Sequence, residues 1–298
     1  MIVARIEGGL GNQLFQAAFG LQLAKTHGTD LVLDLSSYAS QPAHGYMLDR
    51  FLFDVKKVDD QVGRRIPVRY RENGTSRWTD WLAKDSLRRV RERPFGFQEA
   101  YLRDTQNDSY VVGYWQSERF FPDVRDEILA QFQPRAFLSS TTSTMRDTMA
   151  NQKSIALHVR RGDYLSNPVN WSIYQSLPMD YYRDSVEEYL EANEGATLYI
   201  FSNDIAWCQE HLEFRCPIKY VTHTNSQNCH EDMWLMTSAG CCVIANSTFS
   251  WWGAWLNQRP DKTVYAPDSW FRPGSLNDEH LNANGWRTCA ISPMLQAA

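Results

Sequence analysis

The chain opens on a short apolar run, Ile2 to Ile6, that breaks at Gly8-Gly9-Leu10-Gly11-Asn12-Gln13. Leu14, Phe15, Ala18, Leu21 and Ala24 then follow at helical spacing. A strand, a glycine loop and a helix in that order restrict the fold more than any other stretch. They form a βα turn whose backbone N–H groups point off a helix N-terminus, where an anionic or polar ligand can be cradled. Leu31 to Leu35 reads as a second strand and carries Asp34, near the position where a dinucleotide-binding unit places an acidic residue. The match is incomplete. Leu14 stands where a third small residue belongs, and Asn12-Gln13 brings hydrogen-bonding groups that a dinucleotide turn does not need. A tight βα turn without a ligand is the alternative.

The rhythm of strand and helix continues. Leu87-Arg88-Arg89-Val90-Arg91-Glu92-Arg93 reads as helical, with a solvated basic face. Tyr110 to Ser117 reads as a strand leading into a polar, aromatic loop. A helix should follow from Pro122, in its first turn, to about Phe132. The Ser/Thr-rich patch Ser139 to Thr144 is the best linker, giving an N-terminal domain of residues 1–144 and a C-terminal domain of residues 145–298. In the second half, Ile155–Val159, Thr197–Phe201, Ile218–Val221 and Cys241–Ala245 read as strands. Tyr181–Leu190, the stretch from His230 to Met236 and the residues after Asn246 read as helices. Alternation in both halves predicts an α/β fold of two Rossmann-like domains facing a cleft.

Composition narrows the function. A chain of 298 residues accommodates two domains of ordinary size. A formal net charge of -5 argues against nucleic acid as a partner. Eleven Trp and 14 Tyr would suit sugars or bases, with core packing as the alternative use. The six cysteines lie in the second half without C-x-x-C spacing and read as reduced thiols of a cytoplasmic protein. Cys208, His211 and Cys216 fit no standard zinc pattern. No signal peptide and no membrane-spanning run is expected, which leaves peripheral contact with a lipid-linked glycan open.

The second candidate site is His158-Val159-Arg160-Arg161-Gly162-Asp163-Tyr164, at the carboxyl end of a buried strand, where open α/β sheets bind ligands. Neighbouring side chains on an extended chain point to opposite faces, so the two arginines should have different tasks. One can fork onto a phosphate; the other can hold Asp163 or a neighbouring loop. An Arg–Asp pair that merely closes the turn is the alternative. Asn246-Ser247-Thr248-Phe249-Ser250 lies where a strand turns into a helix, offering hydroxyls and backbone N–H groups to a phosphate. Ordinary N-capping by Ser247 or Thr248 is compatible with that use.

Together, Gly8 to Gln16, Gly113 to Glu118, His158 to Tyr164, Phe201-Ser202-Asn203-Asp204 and Asn246 to Trp255 resemble the bacterial-type α1,2-fucosyltransferase family, in order, over residues 1 to about 270. The resemblance implies a GT-B architecture with an acceptor-side N-terminal domain and a GDP-fucose-binding C-terminal domain. It implies transfer of L-fucose to the 2-hydroxyl of a galactoside, with inversion. Arg160 matches the arginine that grips the β-phosphate; His158 and Asp232 match positions near the guanine. Ser247, Thr248 and Phe249 match the diphosphate loop, with Asn246 before it and Asp204 in the Ser-Asn-Asp motif as further donor contacts. Gly9, Gly11, Asn12 and Gln13 match the loop that reaches towards the fucose and phosphate.

The residues argue the same way. An Asp at a helix start can accept both guanine N1–H and the exocyclic amine. No D-x-D, D-x-E or E-x-D occurs, so Arg160 and the Ser247–Thr248 donors should stabilise the leaving diphosphate without a metal or other cofactor. Asp163 is the candidate base for the acceptor hydroxyl, a salt bridge to Arg160 or Arg161 being its alternative role. The acceptor is expected to be a galactose-containing oligosaccharide, with residues 36–120 shaping its pocket. An NAD-dependent oxidoreductase using the glycine loop and Asp34, and a non-catalytic nucleotide- or sugar-binding module, are the competing classes.

Overall fold

The computed structural model describes residues 1–40, 45–66, 86–136, 138–162, 164 and 167–291. The chain forms two compact units, Met1–Ala136 with Glu279–Leu281, and Phe137–Asp278 with Asn282–Ala298.

The first unit is built on β1 (Ile2–Arg5), β2 (Leu31–Asp34), β3 (Lys56–Lys57), β4 (Arg88–Arg91) and β5 (Ser109–Val112). They form a sheet of order β3-β2-β1-β5-β4 in which every pairing is parallel. Strands buried on both faces need continuous apolar runs, and the three central strands have them. The Leu10–His27 helix covers the sheet with Leu14, Phe15, Ala18, Phe19 and Leu23, all fully buried. Each large apolar side chain so buried is worth about 1.5–3 kcal/mol. The close helix–sheet approach comes from Gly20, where an added Cβ would lie 2.7 Å from Leu31 Cδ1 and 3.3 Å from Ala4 Cβ. The small residue absent at Leu14 is therefore supplied further along the helix.

Three sequence expectations are corrected. Arg88–Arg91 is an edge strand paired with β5, not a helix. Its arginines are exposed because an edge strand has one side without a neighbour, and charges there oppose pairing with another chain. Pro122 precedes the helix rather than entering it; the helix runs Arg125–Gln131 and follows a turn. The Ser139–Thr144 patch is not a linker. Ser139 accepts the Thr142 N–H and caps a helix, Ser140–Asn151, so the units divide before residue 144.

The second unit contains β6 (Ser154–Val159), β7 (Thr197–Ser202), β8 (Ile218–Tyr220), β9 (Cys241–Val243), β10 (Thr263–Pro267) and β11 (Arg287–Cys289). Their order, β11-β10-β9-β6-β7-β8, is again parallel throughout. Counted from β6 as the first strand, this is the 3-2-1-4-5-6 order of the dinucleotide-binding fold. Ile155, Leu157 and Val159 pack on Tyr181, Tyr182 and Val186 of the Met179–Ala192 helix. The period of two sends His158 to the opposite face. Trp251, Trp252 and Trp255 cluster in the core, with Trp251 and Trp255 stacked at 5.9 Å, so these three aromatics serve packing rather than recognition. None of the six cysteines forms a disulfide. Among the described residues, no helix is long and apolar enough to cross a membrane.

Candidate functional site

Strand order in the second unit reverses between β6 and β9, and such a switch point opens a crevice at the carboxyl ends of the strands. β6 delivers His158, Arg160 and Arg161 there, and β9 delivers Asn246 to Phe249. The His158 and Phe249 ring centroids are 5.6 Å apart across the switch point. His158 is 4% exposed, and its Nδ1 has no hydrogen-bond partner among the described residues. Burial, with Arg160 adding to it, lowers its pKa to about 3, so the ring is neutral. A buried polar atom left unmet costs about 1–3 kcal/mol, which a ligand at this position would recover.

The two arginines separate as strand alternation requires. Arg161 is held against the β7 loop. Its N–H donates to Asn203 Oδ1 (3.1 Å), its guanidinium lies 3.7 Å from the Trp207 ring centroid, and its Nε is 3.8 Å from Asp204 Oδ2. Asp204 in turn caps the Ile205–His211 helix by accepting the Trp207 N–H (3.2 Å). Its carboxylate is thus engaged in building the loop. Arg160 turns the other way, with its guanidinium 5.5 Å from the Tyr164 ring centroid. Tyr164 stacks on Tyr174 at 4.3 Å and donates its hydroxyl to Asn246 O (3.0 Å). That bond ties the arginine loop to the loop after β9. Asp163 lies outside the described residues.

Asn246 is 1% exposed, and its side-chain amide donates to Gln175 O (2.9 Å) and Trp270 O (2.8 Å). It positions the loop from below. Ser247 is the N-cap of the Thr248–Trp255 helix but makes no side-chain capping bond, so its hydroxyl is not committed to that task. The first N–H groups of this helix have no partner four residues back, and they carry the positive end of its dipole. Thr248 and Phe249 therefore stand where an anion is favoured.

Asp232 lies on the Cys229–Met236 helix and accepts the Thr224 hydroxyl (2.7 Å). Burial raises its pKa to about 6, opposed by the Thr224 bond and reinforced by Glu231. Glu231 is turned inward, accepting the hydroxyls of Ser139 (2.7 Å) and Thr142. Cys229, on the same helix, has its thiol pushed up to about 11 by burial and then by Asp232, with Arg160 acting against them. Asp232 and Arg160 thus act on one thiol.

The glycine loop of the first unit sits at its own switch point, between β1 and β5. Gly9 precedes the Leu10–His27 helix as its N-cap, and Gly11 is buried in the first turn. Asn12 Oδ1 accepts Gln116 Nε2 (2.9 Å) from the loop after β5. Gln13 is fully buried: Nε2 donates to Gly8 O (3.0 Å) and Gly45 O (2.9 Å), and Oε1 accepts the Met47 N–H (2.9 Å). The Asn12-Gln13 pair does hydrogen-bond, but the partners named are the protein's own loops. Asp34 is 3% exposed, accepting Tyr110 OH (2.5 Å) and the Ser36 N–H (2.9 Å). A carboxylate so enclosed has no place for a ribose, which removes the main support for the dinucleotide alternative. Tyr164 and Asn203 lie inside motifs visible in the sequence but carry no role there, and Thr224 lies in none; only Tyr164, a buried aromatic beside two arginines, has a local signal.

Two Rossmann-like units, the second carrying cationic and helix-terminal groups at its switch point, define a GT-B-like glycosyltransferase. The model of glycosyl transferase family 11 matches residues 80–288, and the chain belongs to that family. It is 31% identical to the alpha-1,2-colitosyltransferase of Escherichia coli over 93% of this chain and 94% of that one. It is 24% identical to the bovine galactoside alpha-(1,2)-fucosyltransferase 2, over 89% and 72% of the two chains. Among solved structures, the fold is similar to that of the Bradyrhizobium fucosyltransferase NodZ (TM-score 0.50, 14% identity, 85% of this chain and 90% of that one).

Proposed function

We propose that the protein moves L-fucose from GDP-β-L-fucose to the 2-hydroxyl of a β-galactoside, forming an α1,2 linkage by inversion and without a metal. The observation that carries this reading is Arg160 at the tip of β6, tied through Tyr164 to the Thr248–Trp255 helix start on the other side of the switch point. In the reaction the bond from fucose C1 to the β-phosphate oxygen breaks and its electron pair stays on that oxygen. The acceptor oxygen attacks C1 from the opposite face and loses its proton to a base. Charge grows on the diphosphate, so preformed cationic and N–H donors lower the barrier most where they meet that charge. Arg160, Ser247, Thr248 and Phe249 supply such groups. His158, neutral and unmet at Nδ1, and Asp232, accepting at a helix start, suit the guanine. Asp163 is proposed as the base from its place three residues beyond Arg160.

The identity with an alpha-1,2-colitosyltransferase supports a second donor. Colitose is fucose without its 3-hydroxyl. A site that hydrogen-bonds that hydroxyl would reject the deoxy sugar strongly, whereas an apolar one would not. The test is incubation with GDP-fucose or GDP-colitose and a panel of β-galactosides, following GDP release and product mass. Transfer from GDP-fucose is the expected result. Turnover with GDP-colitose alone would replace the donor. GDP binding without turnover of either would favour a binding module, and a nicotinamide absorbance change on adding NAD would favour an oxidoreductase.

A further inference from the structure

The carboxyl end of the first unit's sheet carries a cluster that the donor chemistry does not use. β1 and β5 pair in parallel through Ala4 and Val111. Glu7 follows β1 and Tyr114 follows β5, the two strands on either side of this sheet's switch point. Tyr38 reaches the same end from the short Ser37–Ser40 helix after β2. Its hydroxyl donates to Gly8 O (3.0 Å), beside Glu7, and its ring meets Tyr46 edge-on with centroids 6.5 Å apart. The backbone at both ends of the cluster is fixed from within: the Glu7 N–H donates to Gln16 Oε1 (2.9 Å), and the Tyr114 N–H to the buried Glu92 carboxylate (2.6 Å). The side chains stay accessible, Tyr114 at 39% and Glu7 at 22%.

The cluster also carries a carboxylate. Glu7 pairs with Arg5 at 3.0 Å and keeps 22% of its side chain exposed, while Lys57 Nζ stands 4.8 Å from the Tyr46 ring centroid. Burial raises the phenol pKa of both Tyr38 and Tyr114, and the Glu7 charge raises both further, so the three groups share one field.

We propose that Glu7, Tyr38 and Tyr114 form an acceptor subsite for an uncharged hexopyranose ring, an assignment that rests on the glycosyl-transfer reading above. A carboxylate accepts hydrogen bonds from two neighbouring sugar hydroxyls, and a phenol offers both an apolar face and a polar tip. The same carboxylate acts against a ring that bears its own negative charge, so discrimination comes from repulsion as well as attraction.

The test compares methyl β-galactoside with methyl β-galacturonoside, which share the 2-hydroxyl and differ by a carboxylate. The wild-type KM should be at least about tenfold higher for the uronide. Glu7→Gln should raise the galactoside KM by about tenfold, the order expected for losing a hydrogen bond to a charged acceptor, and bring the two KM values close together. Tyr114→Ala should raise both KM values, with the affinity for GDP unchanged in either variant. The same KM ratio in Glu7→Gln as in wild type overturns the subsite. Saturation-transfer NMR of the galactoside alone reads the subsite without a donor. Signal in wild type that falls in both variants supports it even where no transfer occurs, an outcome that would count against the transfer reading instead. No signal in wild type overturns it.

Discussion

Arg160 and Arg161 are adjacent, carry the same group, and are assigned different work by the alternation of an extended chain. Arg161 is held by Asn203, Trp207 and Asp204; Arg160 lies by Tyr164, whose hydroxyl donates to Asn246 O in the loop after β9. If Arg160 meets the charge that grows on the leaving diphosphate, its loss must show in kcat and not only in KM. Arg160→Ala should lower kcat/KM by on the order of 10²–10³, the usual cost of one preorganised donor. Arg160→Lys should restore little, since an ammonium cannot form the bidentate fork. A stable Arg160→Ala protein with wild-type single turnover would remove the arginine from catalysis. Asp232 gives a prediction in pH. Its folded pKa of about 6 lies above the unfolded value of 3.8, so its contribution to stability is full at low pH and is lost as pH rises from about 4 through about 6. Asp232→Asn avoids that loss, and without ligand it should melt higher than wild type at pH 7.5 but not at pH 4. GDP binding to wild type should strengthen as pH rises through 6, because the charged carboxylate accepts both guanine donors. In Asp232→Asn the pH dependence should flatten and binding at pH 7.5 should weaken by roughly 1–3 kcal/mol. Unchanged GDP affinity in calorimetry would place the guanine elsewhere.

Between elements, the turns matter more than the strands. Gly162 follows the arginines where an added Cβ would lie 2.4 Å from Asn203 Nδ2, while Asn203 Oδ1 receives the Arg161 N–H. Gly162→Ala should push that amide aside, loosen the join between the β6 and β7 loops, and raise the donor KM by about tenfold or more. The core strands are untouched, so the melting temperature should move by only a few degrees; an unchanged donor KM would show that the join has no bearing on the donor. Elements whose periodicity is set by burial could be read from sequence. β1, β2, β5, β6, β7 and β9 were legible because both of their faces are covered, and β8, only partly buried, was legible from its place in the alternation of strands and helices. β4 was not legible. Leu87 to Arg93 has the composition of a solvated helix, and only its place beside β5, at a sheet edge, makes it a strand. Asp34 misled for a related reason: the Tyr110 hydroxyl that occupies it comes from far along the chain. Ser139 to Thr144 has linker composition, yet a serine before hydroxyl-rich residues also caps a helix, and here it does.

Across the molecule, each unit places its candidate groups at the switch point of its own parallel sheet: Glu7, Tyr38 and Tyr114 in the first, His158, Arg160 and Phe249 in the second. Family membership makes the chain a glycosyltransferase; the sugar it moves and its independence of metal are the proposals to be tested. Protein donors that hold the diphosphate need no divalent cation to carry its charge. The most direct measurement is transfer from GDP-fucose to a β-galactoside by EDTA-treated protein, with the product linkage determined by NMR. The expected result is undiminished turnover and fucose α-linked to the galactose 2-oxygen. Activity abolished by EDTA and restored by Mg²⁺ or Mn²⁺ would contradict the metal-free reading, and a product linked at another hydroxyl, or no fucosylated product, would contradict the proposed reaction.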